Sequence, residues 1–163
     1  LMACRDLSEV ALIVLRYAGD IFSRVLMLTV CRGKIVGLGH SGFLIPHGGK
    51  DEDLIRKIHI PLREPSVFGQ ALREGVYKGK FPDAKWDLYL ASRWGGEIPG
   101  EVFVSPLMGK NGVEAFLYGD DLPQKRVIGN TEELEVFIQV ASLVLIHSRT
   151  QQNPEDAKTP AFI

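Results

Sequence analysis

Leu7, Val10, Ala11, Val14, Ala18, Ile21 and Phe22 recur at three- and four-residue steps, which predicts an amphipathic helix. Asp6 and Glu9 have capping-box spacing and put its start there. Leu12, Ile13, Leu15 and Tyr17 add apolar surface on other sides, so this helix needs a second packing partner. From Arg24 to Arg32 the run is apolar and strand-like. Gly33-Lys34 permits a tight turn, and Ile35 to Gly42 returns as a second strand. A loop follows, with a short helix expected at Asp51 to Lys57. Ile58 to Leu62 reads as a short strand ending at Pro61. Ser66 can cap a helix whose apolar face is Val67, Phe68, Ala71 and Leu72, and Gly75 ends it. Val76 to Phe81 reads as an extended segment, and Pro82 to Pro99 as an irregular one rich in aromatic residues.

Glu101 to Asp121 reads as a hairpin. Val102, Phe103 and Val104 lead into Pro106, which suits a strand edge or a bulge. Gly109-Lys110-Asn111-Gly112 forms the turn, with two glycines and an Asn for the positive φ values hairpins need. Val113 to Tyr118 returns. Asn130 and Glu133 form a second capping box before a long helix reaching about His147. One stripe of that helix is Leu134, Phe137, Ile138, Ala141, Val144 and Leu145; another is Val136, Val140 and Leu143. Short turns between successive strands require antiparallel pairing. The expected fold class is α+β: a central antiparallel sheet with the N- and C-terminal helices on one face and loops and short helices on the other.

At 163 residues the chain suits one domain. We expect that domain at 1–149 and a linker or disordered tail at 150–163. The start, "LMACRDLSEV", reads as a cut inside a longer protein or as a cloning remnant. A net charge of -1 gives no basic excess to release counterions, which argues against a nucleic-acid partner. No apolar run approaches the roughly 20 residues that span a bilayer, so no membrane partner is expected. Cys4 and Cys31 form no CxxC pair; they read as reduced thiols of a cytoplasmic protein, with Cys31 a small core residue.

Two segments carry a resemblance. "IHIPLREPSVFGQALREGVYKGKF", with Pro61-Leu62, Ser66 and Gly75, and "EVFVSPLMGKNGVEAFLYGDD" with the helix after it, marked by Pro106-Leu107, Gly112 and Gly119, resemble the GAF domains of signalling proteins. The likeness runs from about Leu7 to His147 and is nearest to GAF-like domains of bacterial response-regulator-type proteins. It implies a non-catalytic sensory or regulatory domain that passes state through its terminal helices to an attached effector or receiver domain. The Asn-Lys-Phe-Asp-Glu pattern of cyclic-nucleotide-binding members is missing. Neither cysteine matches the chromophore attachment point of bilin-binding members, and the loop cysteines of the reductases of this fold are missing.

"GLGHSG" at Gly37 to Gly42 matches a dinucleotide pattern, but Pro46 and Gly48-Gly49 forbid the helix that would receive a pyrophosphate. It reads as a glycine-rich strand end. His40, His47, His59 and His147 lack the companions a structural zinc site needs. Asp51-Glu52-Asp53 and Asp120-Asp121 read as solvated turn ends, and Ser105 has no nucleophile elbow. No catalytic residue, metal site or cofactor is expected. The aromatic segment is the most informative cluster. It reads as a solid core over the sheet, as a small-molecule pocket, or as a docking patch. In the pocket reading His59, Arg73, Tyr77, Trp86, Tyr89 and Arg93 bind the ligand, and the arginines favour an anionic one. The surplus apolar stripes point to a homodimer through Leu12, Leu15, Val136, Val140 and Leu143. The alternative is a ligand-free dimerisation or docking module.

Overall fold

The computed structural model describes residues 2–43 and 55–156. Helix α1 (Met2–Gly19) is followed by strands β1 (Arg24–Cys31), β2 (Lys34–Ser41) and β3 (His59–Pro61). Then come α2 (Val67–Glu74), β4 (Tyr77–Lys80), α3 (Lys85–Ser92), β5 (Glu101–Gly109), β6 (Gly112–Asp120) and α4 (Glu132–Asp156). The six strands form one sheet in the order β3-β2-β1-β6-β5-β4, and every neighbouring pair is antiparallel. This is the expected fold class.

Strand alternation divides the core into two layers. Val25, Met27, Phe103, Ala115 and Leu117 face α1 and α4, where Ala11, Val14, Ala18, Leu134, Ile138 and Leu145 are buried. Leu26, Leu28, Val102, Val104, Phe116 and Tyr118 face the other way, onto Val67, Phe68 and Ala71 of α2 and Leu90 and Ala91 of α3. Burying each large apolar side chain contributes about 1.5–3 kcal/mol, so both layers hold the sheet. α1 and α4 lie side by side, with Tyr17 stacked on Phe137 at 4.5 Å.

Several local expectations are corrected. α1 begins at Met2, because Met2, Ala3 and Arg5 are good helix formers and nothing there stops the helix; the Asp6–Glu9 box is therefore not its start. α4 begins one residue later than its expected box. Asn130 Oδ1 accepts the Glu132 N–H (2.9 Å), while the buried Thr131 hydroxyl meets Glu135 Oε2 (2.9 Å). α4 also runs past His147, its expected end, to Asp156. That stretch has no glycine, and its proline, Pro154, lies in the last turn. Residues 157–163, most of the helix expected at Asp51 to Lys57, Asp51-Glu52-Asp53 and His47 lie outside the described residues.

The segment expected to be irregular contains α3. Its start carries no side-chain cap, and one of its buried positions is an aspartate, Asp87, which blurs the apolar stripe. Cys31 is exposed rather than core, because β1 ends there at the turn. Pro106 sits where β5 has outrun β4, which pairs only with 101–104, so its missing N–H breaks no ladder on that side. The β5–β6 turn is Lys110-Asn111. Of its four expected residues only Gly112 takes a positive φ (118°).

Candidate functional site

Tyr89 on α3 is the hub of the aromatic segment. Its hydroxyl accepts the His59 N–H at 3.3 Å and donates to the Lys57 carbonyl at 3.4 Å, tying α3 to β3. Trp86 meets its ring edge-on at 5.2 Å, and the Arg93 guanidinium lies over it at 4.5 Å. Lys85 lies over Trp86 at 5.2 Å. Among the described residues Trp86 Nε1 and Arg93 Nε are buried without a hydrogen-bond partner.

Four of the six expected ligand residues thus meet: Trp86, Tyr89, Arg93, and His59 through its backbone. Arg73 and Tyr77 sit elsewhere. Arg73 is exposed and folds back over Gly69 of its own helix. The Tyr77 hydroxyl donates to the Lys80 carbonyl of its own strand. Burial, helped by Glu74 and Asp87, raises the Tyr77 pKa. Asp87 is 1% exposed, and its Oδ1 accepts the Val67 N–H at the start of α2 (2.8 Å). That bond joins the two short helices. Desolvation raises the Asp87 pKa.

The second face beneath is tightly filled. Phe68 packs on Phe116 (5.3 Å) and Trp94 on Tyr118 (5.5 Å). At one end lies a polar cluster that the sequence reading missed. Asp120, fully buried, accepts from Arg24 Nε (2.8 Å), Arg24 Nη2 (2.6 Å), the Tyr118 hydroxyl (2.6 Å) and the Leu122 N–H (3.1 Å). The Arg24 guanidinium also lies 4.4 Å from the Phe43 ring centre and 4.7 Å from that of Trp94. Burial, then the Asp120 charge, pushes the Tyr118 pKa well up. So Asp120 is not a solvated turn end; it is half of a buried ion pair. Charges at the ends of two apolar strands were the available signal. Arg24 and Asp120 are register partners, which only the pairing reveals. Asp121 does face the surface, held by Ser23 (2.6 Å) and by Arg126 through Nε (2.6 Å) and Nη2 (3.1 Å).

"GLGHSG" runs along β2 into the bend after it. Gly37 is needed for close approach: a Cβ there would lie 1.9 Å from the Ile55 carbonyl oxygen. His40 meets Phe43 edge-on at 5.8 Å. Among the described residues no cluster of His, Cys, Asp or Glu could hold a metal ion. No helix there is long and apolar enough to cross a membrane.

Several large apolar side chains of the helix pair stay exposed. Leu12 is 50% exposed, Val136 58%, Val140 52% and Leu143 64%, with Ile13 and Val144 beside them. Leu15, the fifth expected interface residue, is half-buried against the inner layer. A groove of about 140 Å³ runs between the helices, lined by Val10, Ile13, Phe137, Val140 and Val144 among others.

No family model and no curated protein matches the sequence. Solved structures do. The blue-light absorbing form of the Thermosynechococcus elongatus PixJ GAF domain is 14% identical with a TM-score of 0.72, over 100% of this protein and 98% of that one. The GAF domain/HD domain protein of Geobacter sulfurreducens is 12% identical (TM-score 0.65; 89% and 95% covered). The GAF-B domain of DevS from Mycobacterium smegmatis is 18% identical (TM-score 0.61; 93% and 98% covered). At these identities the likeness fixes architecture, and the protein has the GAF-like α+β fold.

Proposed function

We propose that the protein is a non-catalytic regulatory domain of a larger cytoplasmic bacterial signalling protein. It self-associates through α1 and α4 and passes its state along them to an attached effector or receiver domain. The carrying observation is that Leu12, Val136, Val140 and Leu143 stay half exposed after the inner stripes of both helices have been buried. The fold supports the reading, since the similar structures include the blue-light absorbing PixJ GAF domain and residues 122 to 287 of a methyl-accepting chemotaxis protein. Hiding the exposed half of each of these side chains contributes about 1 kcal/mol, or roughly 8 kcal/mol over two copies. Association costs about 4–15 kcal/mol, so the dimer is concentration-dependent. Its melting temperature should therefore rise with protein concentration, and Val140→Glu should abolish that rise. A wild-type melting temperature independent of concentration removes the dimer.

A second reading adds a small anionic ligand at α3, favoured by the buried donors Trp86 Nε1 and Arg93 Nε. The filled layer of Phe68, Phe116 and Tyr118 favours the ligand-free module instead. Thermal shift against nucleotides, cyclic dinucleotides and organic acids separates the two. A shift lost in Arg93→Met supports the ligand; no shift across the panel supports the ligand-free module.

A further inference from the structure

We propose that Asn111, at the tip of the β5–β6 hairpin, is a self-modifying site that deamidates in the folded protein. Asn111 is exposed and is followed by Gly112, which has no side chain to shield the peptide nitrogen; even a Cβ built there would meet nothing within 4 Å. Gly112 takes a φ of 118°, where other residues are strained, so the turn itself requires the glycine that makes its neighbour reactive. The tip is weakly held. Its last pair is Gly109 with Gly112, two residues without side chains to pack, and the ladder is already irregular between Leu107 and Met108.

The chemistry needs only solvent. A base removes the Gly112 amide proton, and the nitrogen attacks Cγ of Asn111. The new C–N bond closes a five-membered succinimide. The bond from Cγ to the amide Nδ2 breaks, and ammonia leaves with a proton from water. Intramolecular attack gives the step its rate. Water then adds to either ring carbonyl and opens the ring, leaving an aspartyl or an isoaspartyl residue at position 111. No oxidant or reductant takes part. The isoaspartyl product adds one carbon to the backbone, which disturbs the Met108–Val113 and Gly109–Gly112 pairs. Met108 N–H donates to Ser142 Oγ of α4 at 3.1 Å, which links the hairpin end to that helix.

The protein supplies its own controls, since its other asparagines are Asn130 and Asn153. Asn130 precedes the β-branched Thr131, and its Oδ1 is held by the Glu132 N–H. Asn153 precedes Pro154, which has no N–H to attack with. The folded protein is incubated at mildly alkaline pH in heavy-oxygen water, and its peptides are mapped by mass spectrometry that separates the two aspartyl isomers. Position 111 should take up label many-fold faster than position 130 and give both isomers. Asn111→Gln should lose that label with an unchanged circular dichroism spectrum, because position 111 needs no positive φ. Labelling at 111 no faster than at 130, or seen only once denaturant has unfolded the protein, overturns the proposal.

Discussion

Replacing Asp120 with Asn tests the buried polar cluster. Asp120 is fully buried and holds four donors, two of them on Arg24, which is itself 8% exposed. Asp120→Asn keeps the shape and removes the charge. The guanidinium then stays in the interior with no counter-charge, and one carboxylate oxygen becomes an NH2 facing donors. Breaking a buried pair from one side costs about 3–5 kcal/mol. Phe43 and Trp94 flank the guanidinium in both proteins, so their attraction cancels in the comparison; the asparagine Oδ1 can still accept a donor, which puts the loss at the low end of that range. The expected net loss is about 3 kcal/mol, a large share of the roughly 5–15 kcal/mol that holds a domain folded. At about 2–4 °C per kcal/mol for a protein of this size, the melting temperature falls by roughly 6–12 °C. Urea unfolding followed by tryptophan fluorescence measures it, with Trp94 reporting from the cluster. A loss below about 1 kcal/mol would falsify the view that this ion pair is a closed, desolvated unit.

Asp87→Ala leaves the Val67 N–H without its acceptor and is expected to cost about 1–3 kcal/mol in urea unfolding. Asp87→Asn keeps an acceptor. The raised pKa of Asp87 means that its burial favours the fold below its unfolded pKa and opposes it as pH rises, so the Asn variant should gain on wild type between acid and neutral pH. A constant difference over that range contradicts the assignment. Asp121 runs the other way. Arg126, then Ser23, lowers its pKa to about 2, so its contribution is present above the unfolded value of about 3.9 and fades as pH falls toward the folded one. Arg126→Met should flatten the fall of melting temperature over that interval, and an unchanged slope argues against the pair. Gly119→Ala would set a Cβ 2.5 Å from the Phe22 ring and should cost about 1–3 kcal/mol by overpacking; a neutral outcome means the Phe22 ring moves aside freely.

The sheet and its helices were legible because their signals are local. Val25 and Met27 against Leu26 and Leu28 alternate as a strand buried on both faces does. Ser66 and Gly75 punctuate α2 as their chemistry dictates, with Ser66 Oγ accepting the Gly69 N–H at 3.3 Å. α3 was illegible because Asp87 holds a buried position that periodicity assigns to an apolar residue. The Arg24–Asp120 pair joins residues 96 apart, and no local pattern encodes that register. Of the candidate ligand residues, the sequence grouped six by proximity along its length. The fold kept Trp86, Tyr89 and Arg93 together because the first two follow one another along α3 and Arg93 caps its end. It turned Arg73 and Tyr77 away at the α2–β4 bend.

Whether two copies meet through the outer faces of α1 and α4 is settled most directly by sedimentation equilibrium. Wild type and Val140→Glu are run side by side over a wide concentration range. The expected mass climbs from monomer toward twice that value for wild type and stays at monomer for the variant. A wild type that stays monomeric at every concentration, or a variant that dimerises as well as wild type, would contradict an interface built on this stripe.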